Sequence, residues 1–176
     1  GSTLDSAVLV SVVIPTYNRL PILQQCLRAL EAQRSLDPGD SFEVVLVDDG
    51  STDGTVEWIQ REAAALPHVR LICQEHGGPA IGRNLGVDHA HGEVIIFIDS
   101  DLVVVPDFLR PHLRSLRQAW QRDGNRLCFT YGAVINTHNF ESPESEAHKL
   151  SDLSWAYFAT GNVAIDKTVL QESGLF

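Results

Sequence analysis

The sequence predicts an α/β fold in three layers, a mostly parallel open sheet between helices. Two observations carry that expectation. Val8–Ile14, Glu43–Val47, Val69–Ile72 and Val94–Ile98 are short runs of β-branched and other apolar residues, too continuously apolar to have one wet face. Segments with apolar residues at spacings of three and four alternate with them. Strand, helix, strand, helix implies right-handed crossovers and a parallel sheet covered on both faces.

The elements follow in order. After the first strand, Leu20, Leu23, Leu27 and Leu30 form one stripe, and Pro21 suits a first helical turn. After the second, Val56, Ile59, Ala63 and Leu66 form another. A third helix is expected from Pro79 to Ala90. A fourth carries Leu109, Leu113, Leu116 and Trp120, with Pro111 early enough to be tolerated and Gly124 placed to end it. Leu127–Ile135 and Tyr157–Ile165 are candidate further strands. Asn136–Ser154, rich in Asn, Ser, Pro and His, reads as a long surface loop.

At 176 residues with 44% hydrophobic content, the chain suits one domain with a sizeable core. Gly1-Ser2 resemble a scar of tag removal, so residues 3–176 are taken as the domain. A net charge of −10 argues against nucleic acid or an anionic membrane surface as the main partner. Cys26, Cys73 and Cys128 are widely spaced in apolar settings and read as buried thiols of a reducing, cytoplasmic compartment. No apolar run approaches the roughly 18 residues of a membrane span, because Asp99 and Asp101 split the longest candidate.

In open α/β sheets ligands bind beyond the carboxyl ends of the strands. Three of the four predicted strands end in polar clusters: Pro15-Thr16-Tyr17-Asn18, Asp48-Asp49-Gly50-Ser51 and Asp99-Ser100-Asp101. In extended chain Asp99 and Asp101 would point to one side and could share a divalent cation such as Mg²⁺ or Mn²⁺ with substrate phosphates. Taken alone, the pair reads first as a turn or helix cap, where Asp and Ser are common. Val103 excludes a calcium loop, since an oxygen ligand is needed there. Of Asp48 and Asp49, one can serve the turn while the other accepts from a base N–H or ribose hydroxyl; Ser51, Thr52 or Asp53 suits a helix cap. Arg83, after Gly77-Gly78, suits phosphate oxygens or a surface ion pair. Tyr17 can lie against a base or close the core. The seven His are read as surface or core residues and not as zinc ligands, and no P-loop, G-x-S-x-G or G-x-G-x-x-G occurs.

Taken in order, "VSVVIPTYNR", "VVLVDDGSTDGT", "GGPAIGRNLGVDHAHGEVIIFIDSD" and "FATGNVAI" resemble the family 2 glycosyltransferases of the GT-A fold, over nearly the whole chain. The resemblance implies a Rossmann-like sheet and inverting transfer of a sugar from a nucleotide-diphosphate donor, commonly a UDP-sugar, to an acceptor hydroxyl. That acceptor would be a saccharide, a lipid-linked molecule or another hydroxyl compound. Pro15, Tyr17 and Asp49 match nucleoside-binding positions, with Asp48 nearby, and Arg83 a diphosphate contact. Asp99 and Asp101 match the D-x-D signature that binds ribose and the metal-diphosphate, the metal being Mn²⁺ or Mg²⁺. An intervening cation would let an acidic protein bind a diphosphate. Leu102 stands where the family often has a further acid. The family's acceptor-activating acidic pair follows a Gly-Phe segment, whereas this chain ends at Gly174-Leu175-Phe176, so the base is expected beyond Phe176. Trp155, Tyr157 and Phe158 are ambiguous between sugar stacking and anchoring the loop.

Two enzyme or binding alternatives stand beside this reading. A sugar nucleotidyltransferase would share the sheet and acidic site, but Pro15–Arg19 lacks its Gly-rich triphosphate loop. A non-catalytic sugar-nucleotide-binding module would account for the absent base.

Overall fold

The computed structural model describes residues 7–124, 128–131, 134–136, 140–141, 146–149, 163–167 and 171. Its main sheet has seven strands in the order β3-β2-β1-β4-β10-β6-β9. The first four in chain order are β1 (Leu9–Thr16), β2 (Ser41–Asp48), β3 (Val69–Cys73) and β4 (Val94–Phe97), all mutually parallel, as the alternating pattern requires. Beyond β4 the sheet turns antiparallel through β10 (Val163–Asp166), β6 (Cys128–Tyr131) and β9 (Glu146–Lys149). Central strands buried on both faces explain the unbroken apolar runs: Val10, Val12, Val13, Ile14, Val44 to Val47 and Val94 to Ile98 have no measurable exposure.

One sheet face, carrying Val10, Val12, Ile14, Val44 and Leu46, packs in a single core with helices α1 (Leu20–Glu31), α2 (Thr55–Arg61) and α4 (Leu109–Asp123). Helix α3 (Pro79–His89) lies on β1 and β2, where glycines let it approach. A Cβ on Gly86 would collide with the Val13 side chain and stand 3.3 Å from Val47. The expected stripe of α1 is buried at Leu23, Leu27 and Leu30, and Cys26 joins it. All four apolar residues assigned to α4 are buried, and Gly124 ends that helix at φ 70°, where glycine has no steric penalty.

Several expectations need correction. The second helix is shorter than its apolar pattern: α2 stops at Arg61, and a 3₁₀ turn, Ala63–Ala65, rotates the chain so that Ala63 is exposed while Leu66 is buried. The buried face of α2 is Thr55, Trp58 and Ile59. Cys73 is exposed because β3 is an edge strand; Cys26 alone of these two is a buried thiol. The supposed loop Asn136–Ser154 contains two short strands, β8 (Phe140–Glu141) and β9. Strand pairing partners, which a polar sequence does not announce, organise them. The candidate strand Leu127–Ile135 divides into β6 and β7 (Val134–Asn136), which belong to different sheets. Of Tyr157–Ile165, the part before Val163 lies outside the described residues, as do Trp155, Tyr157 and Phe158.

The apolar run Val94–Pro106 is two strands. Its second half forms β5 (Leu102–Val104), first strand of a separate sheet β5-β7-β8, and packs against α1. Gln33, just past α1, secures the far side: its Nε2 donates to the Val105 carbonyl at 2.7 Å, and its Oε1 accepts the Phe108 and Leu109 N–H groups at the start of α4. Two otherwise unpaired helix donors are thereby satisfied from a distance.

Gly92 precedes β4 at a point of closest backbone approach. Its N–H donates to the buried Ser11 hydroxyl at 2.8 Å, and a Cβ there would meet the Leu9 carbonyl oxygen and Ser11 nitrogen at 2.7 Å each. Backbone atoms cannot swing aside as a side chain can. Gly92→Ala is therefore expected to cost about 1–3 kcal/mol by overpacking, read as a lower denaturant midpoint at unchanged m-value. Among the described residues no helix is long and apolar enough to cross a membrane.

Candidate functional site

The strand order places a topological switch between β1 and β4: successive crossovers run from β1 out to β3, and the next returns to the other side of β1. Such a switch opens a crevice at the carboxyl ends. Here β4 pairs with β1 only as far as Phe97, with the Ile98 N–H reaching the Val13 carbonyl, whereas β1 and β2 continue paired to Thr16 and Asp48. Pro15 occupies the stretch that β4 has left, where its missing N–H does no harm to that ladder.

A pocket of about 660 Å³ fills this crevice, lined among others by Pro15, Tyr17, Asp49, Arg83, Asp99 and Asp101. Six of the seven candidate residues thus converge from four chain segments. Asp48 is the exception. It is buried at 1% exposure, is not among the pocket-lining residues, and accepts the Ser51 N–H at 3.0 Å, so it serves the turn. Adjacent residues at a strand end point to opposite sides, which separates the two acids by role.

Asp49 organises the loop that follows β3. Its Oδ1 accepts from Gln74 Nε2 at 2.8 Å and the Gly77 N–H at 2.7 Å; its Oδ2 accepts the Gly78 N–H at 3.1 Å and lies 2.8 Å from His76 Nδ1. Burial alone would push this carboxyl up. The donors from Gly77, Gln74 and Gly78, with His76, outweigh it and hold Asp49 below the usual carboxylate range.

The loops after β1 and β2 are latched together. Asn18, in the left-handed region at φ 49°, accepts the Thr52 N–H on its Oδ1 at 2.7 Å and donates its own N–H to Ser51 Oγ at 2.9 Å. Asp53 takes the capping role on both sides, accepting from Thr55 on one oxygen and from the Leu20 N–H, at the start of α1, on the other. Tyr17, held between these latches, is 44% exposed, so its ring is an available surface and not a core plug.

Arg83 projects from the first half of α3. Its side chain is only 11% exposed and its NH2 group lies 3.1 Å from Asp99 Oδ1, which makes it a mostly buried charge at the pocket and not a loose surface pair. Asp99, Ser100 and Asp101 form a turn, the alternative that the sequence offered beside extended chain. The Leu102 N–H bonds to the Asp99 carbonyl at 3.1 Å, closing a turn as the chain passes from one sheet to the other. Both carboxylates still line the pocket. Burial pushes the Asp99 carboxyl up, Arg83 opposes, and the like charge of Asp101 adds to the rise, leaving it raised. Beneath them in α1, the Cys26 thiol is pushed up to about 12, chiefly by burial and then by Asp101 and Asp99. Leu102, in the place of a third acid, is buried at 4% exposure.

Of the lining residues that were not candidates, two carry ionisable side chains, Arg19 and His76. Arg19 lies 3.5 Å from Asp101. His76 packs on Tyr17 with ring centroids 4.8 Å apart. The signal for His76 was present: Glu75-His76-Gly77 follows β3 as the other clusters follow their strands.

The Glycosyl transferase family 2 model matches residues 11–173, nearly the entire chain. The chain belongs to glycosyltransferase family 2. Among its family relatives is the uncharacterized glycosyltransferase YibD of Escherichia coli K12, 35% identical over 103 residues, which are 58% of this chain and 29% of that protein. The fold is of the GT-A type, shared with glycosyltransferases of known structure. S. aureus TarS 1–349 in complex with UDP superposes with a TM-score of 0.66 at 24% identity, covering 94% of this chain and 48% of that one. The mannosyltransferase PcManGT of Pyrobaculum calidifontis, in complex with GDP-Man and Mn²⁺, does so with 0.64 at 22%, covering 98% and 48%. The chain thus spans less than a third of the YibD protein and about half of these two structures.

Proposed function

We propose that residues 3–176 form a GT-A domain that binds a nucleotide-diphosphate sugar, a UDP-sugar by preference, for transfer with inversion to an acceptor hydroxyl. The observation that carries this is the convergence of an aromatic face, a guanidinium and a pair of carboxylates on one pocket at the switch point. UDP in TarS and GDP-Man with Mn²⁺ in the mannosyltransferase support it. Pro15 and Tyr17 flank the base, Asp49 sets the edge that reads it, Arg83 meets the diphosphate, and Asp99 meets the ribose.

Asp101, helped by Asp99, would hold Mn²⁺ or Mg²⁺. Among the described residues no group of three His, Cys, Asp or Glu could cage an ion. Two neighbouring carboxylates lining one pocket nonetheless fit a hard cation completed by diphosphate oxygens. Bound there, the ion would supply Lewis-acid stabilisation of charge on the departing diphosphate. The protein's share is orientation: Arg83, mostly buried and backed by Asp99, is fixed in direction before substrate arrives. Inversion places the acceptor hydroxyl, on a saccharide, lipid-linked or other molecule, opposite the diphosphate, where a positioned base must take its proton. No described residue is assigned as that base, and the reaction is set in the cytoplasm.

Calorimetric titration of UDP with Mn²⁺ and with EDTA tests the proposal. Binding that requires the ion is the expected result. A folded protein that binds neither UDP nor UDP-sugars with Mn²⁺ present would overturn the uridine assignment.

A further inference from the structure

The geometry points to His76 as a specificity-determining residue that occupies the nucleobase position of the free protein and must be displaced when a base binds. This rests on the reading of the pocket as a nucleotide site. An ionised carboxylate has about four acceptor positions. Those of Asp49 face Gln74 Nε2, the Gly77 and Gly78 N–H groups and His76 Nδ1, which leaves no place for a base N–H.

The four donors are not equally movable. Gly77 and Gly78 are backbone, and Gln74 reaches Asp49 through a part-buried bond. The His76 side chain is 68% exposed. It is the donor that can leave without unfolding the loop. The same imidazole also covers Tyr17, at 4.8 Å between centroids and 42° between planes. One side chain therefore fills both features a planar base would use, the aromatic face and the carboxylate edge.

The consequence is a competition. The ligand must replace the His76 contacts with its own ring and N–H, so its apparent affinity is lowered by the fraction of molecules in which His76 is seated. A ligand offering diphosphate but no base bypasses this competition. The charged groups around the imidazole are Asp49, which it touches, and, elsewhere on the pocket wall, Arg19, Arg83, Asp99 and Asp101.

UDP and inorganic pyrophosphate, each with Mn²⁺, are titrated into the wild-type protein, His76→Ala and His76→Phe. His76→Ala is expected to bind UDP roughly two- to tenfold tighter, the net worth of one hydrogen bond, with pyrophosphate affinity unchanged. His76→Phe, which keeps a ring over Tyr17 but frees Asp49, is expected to fall between them. Weaker or unchanged UDP binding in His76→Ala would overturn the inference while leaving the nucleotide site intact. An equal gain for pyrophosphate would overturn it too, since the effect would then not depend on a base. If neither folded wild type nor variant binds UDP, the nucleotide reading itself fails, and the inference with it.

Discussion

Asp49→Ala is expected to lose roughly 2–4 kcal/mol of stability, because it strands several donors at once. The Gly77 and Gly78 N–H groups and the Gln74 amide all depend on this carboxylate, itself only 5% exposed. Hydrogen bonds to a charged group are each worth about 1.5–3 kcal/mol and do not add fully. At this chain length each kcal/mol lowers the melting temperature by roughly 2–4 °C, so the shift is readily measured. The pH dependence carries its own signature. The folded-state pKa of Asp49 lies below its ordinary 3.8, so its contribution is present in full above that value. It fades as the pH falls through the depressed value. The gap between wild type and Asp49→Ala should therefore close only in strong acid. A gap that disappears already between pH 7 and 5 would show that another group is responsible.

Asp101→Asn is expected to act on ligand binding and scarcely on stability. Its partner Arg19 is 54% exposed and 3.5 Å away, a pairing of the kind worth about 0–1 kcal/mol. Removing a ligand to the cation, by contrast, should weaken UDP binding in Mn²⁺ by roughly 10- to 100-fold, the scale seen even for groups one layer removed from a metal. In EDTA, wild type and variant should look alike. Equal affinities in Mn²⁺ would remove Asp101 from the site.

What could be read in the sequence was whatever follows from period and punctuation. The four parallel strands, α1 and α4 were legible because their apolar spacing reflects burial on one or both faces, and Pro21 and Gly124 mark ends with a steric cause. The pocket was legible because strand ends in an open sheet must converge. Less legible was anything decided by partners distant in the chain. Nothing in Leu102–Val104 announces that it leaves the main sheet, and nothing in Glu146–Lys149 announces that Cys128–Tyr131 will pair with it. Asp48 and Asp49 looked interchangeable in sequence; the side of the strand each faces separated them. Cys73 looked like a core thiol because edge and central strands share a composition.

The passage from β4 to β5 fixes a length as well as a composition. Leu102 and Val104 face inward at 4% and 3% exposure while Val103 is only partly covered, an alternation that tolerates no shift by one. A shift of this segment by one residue would turn Leu102 and Val104 toward water and Val103 inward, and would pull Val105 away from Gln33. Insertions and deletions should accumulate elsewhere, and the distance between the two acids should be as invariant as their charge.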